Sequence, residues 1–307
     1  MSKKIILIAG PTASGKSKLA IQIAKKIKGE IINADSMQVY KEFSILTSRP
    51  SKQDLKKVKH YLYGFQPVKK HFSTGEWLKL VKTQINLCLK NKKIPILVGG
   101  TGLYFEAIIK GISKIPAIDF KTRNKIRDLQ KKIGQKKFYE KLLKLDPLIK
   151  NKIELFDTQR SIRAYEVKKF TKKSIFEWFK LTESEFKQFQ IFKIFIDTPR
   201  EKLLKKISRR AEQMFKDNCI EEVKSFLKLS VKSSLSANKI IGVQEIKDHL
   251  TGILNLTQTK ELINIKTRQY AKRQFTWARG HMSDWNKQNS NSFSSVSKKI
   301  LKVLSKT

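Results

Sequence analysis

Lys4-Ile-Ile-Leu-Ile-Ala9 runs directly into Gly10-Pro-Thr-Ala-Ser-Gly15-Lys16-Ser17, and Ser17 opens a segment reaching Lys28. The apolar run is fit for a buried parallel strand. In the segment that follows, Leu19, Ala20, Ile23, Ala24 and Ile27 recur at helical spacing. Between them, the turn matches G-x-x-x-x-G-K-[ST] in full, in the strand-to-helix context the motif requires. Gly10, Pro11, Thr12, Ala13, Ser14, Gly15, Lys16 and Ser17 are therefore read as a phosphate cradle. Backbone N–H groups and the helix N-terminus face the anion, Lys16 pairs with the terminal phosphate, and Ser17 offers its hydroxyl to Mg²⁺. Any pyrophosphate fits such a cradle, so the motif alone does not name the reaction.

Outward from the loop the pattern alternates. Glu30–Asp35 reads as a second strand ending in an acid, Trp77–Leu89 as an amphipathic helix, and Pro95–Gly100 as another buried strand. This alternation predicts an α/β fold, a P-loop doubly wound parallel sheet. At strand ends such a sheet forms its ligand crevice, which directs Asp35 toward the loop, as metal ligand, general base or helix cap. Gly99-Gly-Thr-Gly-Leu-Tyr104 makes a second glycine-rich turn with Thr101 as its hydroxyl. From 115 to 190 the strands give way to lysine-rich helical periodicity, read as a helical insertion domain. Phe192–Asp197 then returns to the sheet, with Asp197 a second candidate metal-binding Asp beside Asp35, and Pro199 opens a helix carrying Arg209 and Arg210, read either as a site pair or as a solvated face. The expected organisation is a core of 1–114 and 191–285, whose C-terminal region is helical, and a basic tail of disorder-prone composition over 286–307.

Composition narrows the classes. The chain has 307 residues, 66 Lys+Arg against 26 Asp+Glu, and a formal net charge of +40. Such a charge favours an anionic partner (RNA, DNA or a phosphorylated metabolite), even though the lysines also fit a generally solvated surface. Its apolar runs are far shorter than the ~20 residues a membrane span needs. Cys88 and Cys219 make no disulfide framework, and the four histidines show no metal-ligand spacing,. A soluble protein of a reducing compartment, the cytoplasm, is expected.

Five blocks occur in order: Gly10–Ser17, Asp35-Ser-Met-Gln-Val-Tyr40, Leu97-Val-Gly-Gly-Thr-Gly-Leu-Tyr104, Asp157-Thr-Gln-Arg-Ser-Ile-Arg-Ala164 and Tyr270-Ala-Lys-Arg-Gln-Phe-Thr-Trp-Ala-Arg279. Together they resemble the bacterial tRNA dimethylallyltransferases, or tRNA isopentenyltransferases. The resemblance implies transfer of a dimethylallyl group from dimethylallyl pyrophosphate to N6 of the adenosine 3′-adjacent to the anticodon. It further implies that the cradle holds the isoprenoid pyrophosphate with Mg²⁺, rather than ATP, and that Asp35 and Thr101 are catalytic. By the same likeness Asp35, Ser36, Met37, Gln38, Thr101, Arg123, Gln159, Arg160, Ser161, Ile162 and Arg163 contact the anticodon stem-loop of tRNA. A monomer without a membrane anchor is expected. The chain departs from the family at Lys41-Glu-Phe-Ser-Ile-Leu-Thr-Ser-Arg-Pro50, where glycines and an Asp are absent and Arg49 replaces the usual lysine. The competing readings are a small-molecule P-loop kinase and an RNA-binding protein with a vestigial loop; intact Lys16 and Ser17 argue against the latter.

Overall fold

The computed structural model describes residues 3–289, 297–298 and 301–302. Six strands among them form one sheet: β1 (Lys4–Ala9), β2 (Gly29–Asn33), β3 (His60–Tyr61), β4 (Ile94–Gly99), β5 (Gln190–Asp197) and β6 (Asn286–Asn289). Their order is β3-β2-β4-β1-β5-β6. Every neighbouring pair is parallel. This is the α/β architecture the alternation predicts.

β1 lies inside the sheet, and Ile5, Ile6, Leu7 and Ile8 are fully buried. A strand covered on both faces needs apolar residues at every position, which explains the uninterrupted run. On one face, α1 (Lys16–Ile27) packs Leu19, Ala20, Ile23 and Ala24 against Ile6, Ile8, Ile31, Ile96, Ile194 and Ile196. Each aliphatic side chain buried in this way contributes about 1.5–3 kcal/mol. Next comes α2 (Lys52–Lys57), a short surface helix with no buried residue. α3 (Thr74–Lys90) starts on a reciprocal Ser73–Glu76 capping box and turns Trp77, Val81, Ile85 and Cys88 inward. Trp77 stacks on Tyr104 of α4 (Gly102–Ile109) at 3.9 Å and donates from Nε1 to the Asn33 carbonyl at 2.9 Å. The end of β2 is pinned by that bond.

The chain divides into two compact units, one of residues 1–108 and 186–307, the other Ile109–Glu185. The second is helical, with α5 (Phe120–Leu145), α6 (Thr158–Thr171) and α7 (Ile175–Lys180) around Phe138, Leu142, Ile149, Ala164 and Val167. Gly134, at φ 77°, breaks α5 in two. The boundaries differ from the expected 115–190 for local reasons. Ser113 Oγ and Thr182 Oγ1 meet at 2.5 Å across the neck of this unit, and β5 already starts at Gln190, whose N–H donates to Lys3.

After β5 the first unit is helical: α8 (Arg200–Lys216), α9 (Cys219–Leu227), α10 (Val243–Leu250) and α11 (Leu256–His281). The disorder expected from residue 286 is corrected at its start. Asn286–Asn289 pairs with Ile194–Asp197 as an edge strand. Buried Trp285 anchors it, and an edge strand needs partners for its backbone more than an apolar face,. Of the remainder of that tail, 290–296, 299–300 and 303–307 lie outside the described residues.

Candidate active site

Register brings the three functional turns together. Ala9 lies beside Gly99 on one flank and Phe195 on the other, so the turns after β1 and β4 leave the sheet side by side. β2 pairs with β4 up to Asn33↔Val98, and Thr101 N–H donates to the Ala34 carbonyl at 3.2 Å. The backbone at Gly99 comes so close that an added Cβ would lie 1.9 Å from that carbonyl oxygen. In the phosphate loop, Gly15 takes φ 93° at the N-cap of α1, a left-handed conformation that glycine adopts without strain,.

Side chains from two later helices complete the loop. Arg210 of α8 donates to Thr12 Oγ1 at 2.7 Å. Gln274 of α11 accepts from Thr12 N–H at 2.8 Å and donates to the Gly100 carbonyl at 3.0 Å, holding both glycine turns through one amide. Lys16 donates from Nζ to the Pro11 carbonyl at 3.2 Å. Burial lowers its pKa to about 8, opposed by the Asp35 charge and assisted by Arg210. Burial likewise lowers the Arg210 pKa against the pull of Asp35 and Tyr270. Ser14 Oγ and Arg210 Nε are buried without a hydrogen-bond partner among the described residues. Unmet polar groups beside a phosphate loop suit an anion's oxygens.

Asp35 follows β2 in a tight local turn. Its N–H donates to Asn33 Oδ1 at 2.8 Å, its carbonyl accepts from Asn33 Nδ2 at 2.9 Å, and Oδ1 accepts from Met37 N–H at 3.0 Å. Backbone and side chain are therefore fixed by immediate neighbours. Thr101 Oγ1 accepts from Ser36 N–H at 2.9 Å and donates to Ser36 Oγ at 3.2 Å, coupling the acidic turn to the glycine turn. Tyr63, Tyr104 and Tyr270 all have raised pKa values, from burial first and the Asp35 charge second, so this carboxylate's field reaches all three phenols.

A cavity of about 300 Å³ opens between these turns and α11. Ser36, Thr101 and Gln274 give it a polar side; Phe105, Phe195 and Trp277 give it an apolar one. Arg210 lines a second cavity of about 920 Å³, together with Arg49, Lys52 and Tyr63. Metal ligands are few. Among the described residues no trio of His, Cys, Asp or Glu could hold a metal ion. Ser17 is exposed on the first turn of α1. Such a donor set fits Mg²⁺, which takes few protein ligands and fills its shell from water and phosphate.

The sequence-predicted residues divide accordingly. Gly10–Ser17, Asp35, Ser36, Met37 and Thr101 meet at the site, while Gln38 turns its amide to the Thr47 and Ser48 carbonyls at 2.8 and 2.9 Å. Arg209 is exposed, whereas Arg210 turns to the loop, so the pair has two different roles. Asp197 ends β5 on the surface. In the second unit, Gln159, Arg160, Arg163 and Arg123 reach solvent, whereas Ser161 and Ile162 are buried on the inner side of α6. Arg160 pairs with the helix cap Asp157 at 3.1 Å. Sequence reasoning missed Tyr270, Arg273, Gln274 and Trp277 as site residues, although they belong to a block it had singled out.

Comparison with known proteins gives the family. A family model described as IPP transferase matches residues 38–281. The tRNA dimethylallyltransferase of Pelagibacter ubique is 58% identical over 282 residues, covering 92% of this chain and 90% of that protein. Its counterpart in Rickettsia bellii is 42% identical over 276 residues, covering 90% and 87%. Among solved structures, the full-length tRNA isopentenylpyrophosphate transferase of Bacillus halodurans matches with TM-score 0.72 at 28% identity, covering 99% of this chain and 97% of the other. A eukaryotic dimethylallyltransferase acting on tRNA matches with TM-score 0.82 at 28% identity, covering 95% and 75%. With the model match running from Gln38, just past the acidic turn, through the end of α11, the chain belongs to the IPP transferase family.

Proposed function

We propose that this protein transfers a dimethylallyl group from dimethylallyl pyrophosphate to N6 of the adenosine 3′-adjacent to the anticodon in tRNA. The observation that carries the reading is the meeting of Asp35 and Thr101 with a completed phosphate loop beside a part-apolar cavity. Loop N–H groups, Lys16 and Arg210 hold the pyrophosphate, and Mg²⁺ bound at Ser17 would neutralise further charge on it. As the allylic C1–O bond breaks, the developing negative charge falls where these donors are already oriented. N6 bonds to C1, and the N6 proton passes to the Asp35 carboxylate. Thr101 keeps Ser36, and with it the acidic turn, in place. The apolar side of the cavity suits a five-carbon chain and excludes water from the reacting carbon. Since the base lies in a stacked loop, it must be extruded to reach this depth.

The test is incubation with labelled dimethylallyl pyrophosphate, Mg²⁺ and unmodified tRNA, without ATP. Label enters tRNA carrying the target adenosine, and stops when that base is guanosine or when EDTA is present. In Asp35→Ala the rate falls by about 10²–10⁴, the range for a general base, while tRNA affinity stays within a few-fold. No transfer by the wild type, with ATP consumed on a small metabolite instead, replaces this reading with the kinase.

A further inference from the structure

Glu166 is 1% exposed, inside the helical unit, on a helix whose neighbouring residues Ala164, Tyr165 and Val167 form that unit's core. A carboxylate in such a place is costly unless it is paired. Three arginines reach it: Arg163 Nη1 at 3.3 Å and Arg123 Nε at 3.5 Å from Oε2, and Arg127 Nε at 3.9 Å from Oε1. One negative charge thus faces three positive ones, leaving a local surplus of two. Bonding inside the cluster is also incomplete. Glu166 Oε1 and Arg123 Nε are buried with no hydrogen-bond partner among the described residues. Each guanidinium carries five N–H donors, far more than one carboxylate accepts. The side chains of Arg127 and Arg163 stay 42% and 40% exposed, so spare donors face solvent. The chain has only 11 arginines among its 66 basic residues, so three of them on one carboxylate is not a by-product of general basicity. Arginine here offers planar forks that match phosphate oxygens, which lysine does not.

Resting on the tRNA reading above, we infer that Glu166 is a positioning residue that gathers Arg123, Arg127 and Arg163 into one clamp for the RNA backbone, with Arg127 a phosphate contact in its own right. Pure charge and positioning predict opposite signs here. Glu166→Gln makes the cluster more positive by one; if the arginines act only as a charged surface, RNA binds more tightly. If the carboxylate aims them, RNA binds less tightly.

The experiment measures KM and kcat for an anticodon stem-loop RNA, and KM for dimethylallyl pyrophosphate, in Glu166→Gln, Arg127→Ala and Arg127→Lys at several salt concentrations. Glu166→Gln and Arg127→Ala each raise KM for RNA on the order of tenfold, as for loss of a hydrogen bond to a charged group. The loss falls on RNA KM rather than kcat, donor KM holds within twofold, and the salt slope flattens by about one in Arg127→Ala. Arg127→Lys keeps the charge yet recovers less than half of the loss. RNA KM unchanged or lower in Glu166→Gln overturns the positioning role. RNA KM unchanged in Arg127→Ala overturns the contact. If Glu166→Gln shifts donor KM equally, the residue serves general folding instead, and the inference fails; surface-exposed Arg127→Ala tests the clamp without that burden. A wild type that neither binds nor modifies the stem-loop defeats the underlying tRNA reading, an outcome distinct from all of these.

Discussion

Lys16 carries opposite demands in one ammonium group. Burial holds its pKa near 8, below the ordinary 10.5, and the Asp35 charge keeps it from falling further. At neutral pH it is mainly protonated and able to pair with a pyrophosphate; above about pH 8 the free enzyme loses that charge. We therefore expect donor KM to rise as pH passes from 7 to 9, with the rise absent in Lys16→Met, whose KM is high throughout. Donor affinity thus falls with pH, whereas folding stability rises. Because the unfolded chain holds this proton more tightly, the Lys16 contribution makes stability rise between about pH 8 and 10.5,. Donor titrations and thermal unfolding over one pH series measure both, and donor affinity and stability moving in the same direction contradict the assignment. Arg210 illustrates what sequence leaves hidden at this scale. Adjacent identical residues on a helix point about 100° apart, so only packing decides which of Arg209 and Arg210 faces Thr12,.

At the scale of elements, the join between β2 and β4 admits almost no freedom. A Gly99→Ala methyl would meet the Ala34 backbone rather than a movable side chain. We expect it to cost about 1–3 kcal/mol, as overpacking of a tight interior does. It also displaces the Thr101 N–H bond to Ala34 and lowers kcat, whereas alanine at exposed Gly280, where nothing lies within 4 Å, leaves both unchanged. Thermal melts and initial rates on the two variants check this. β1, β2, β4 and α1 were legible because burial on both faces demands apolar runs and the cradle fixes its own spacing. β3, with two residues, and β6, reading Asn-Lys-Gln-Asn, carry no such pattern; neighbouring strands induce them. The acidic turn was visible as a strand end, but the amide of Gln274 was not, since nothing near residue 274 announces a partner at Thr12. Glu166 had a faint signal, the i, i+3 spacing from Arg163, yet that pattern occurs equally on solvated helices,.

For the molecule as a whole, a surplus of 40 positive charges favours a polyanionic partner, and binding to one answers to salt,. Counterions released from RNA make log affinity fall linearly with log salt, with a slope that counts contacted phosphates rather than total charge. We expect tRNA affinity to drop by about 10³-fold or more between 50 and 200 mM salt, the range for some six or more contacts. Donor KM shifts only a few-fold, because charges enclosed at the loop are screened less. Filter binding and donor kinetics in one salt series distinguish the two, and a flat tRNA response returns the lysines to a solvated surface. Among the described residues no helix is long and apolar enough to cross a membrane. Gln274 also imposes an order in time. A chain emerging from the ribosome presents its cradle within the first seventeen residues, but the amide that ties Thr12 to Gly100 is made more than two hundred and fifty residues later. The nascent protein therefore carries an unfinished cradle until α11 emerges, and becomes fit to grip a pyrophosphate only then.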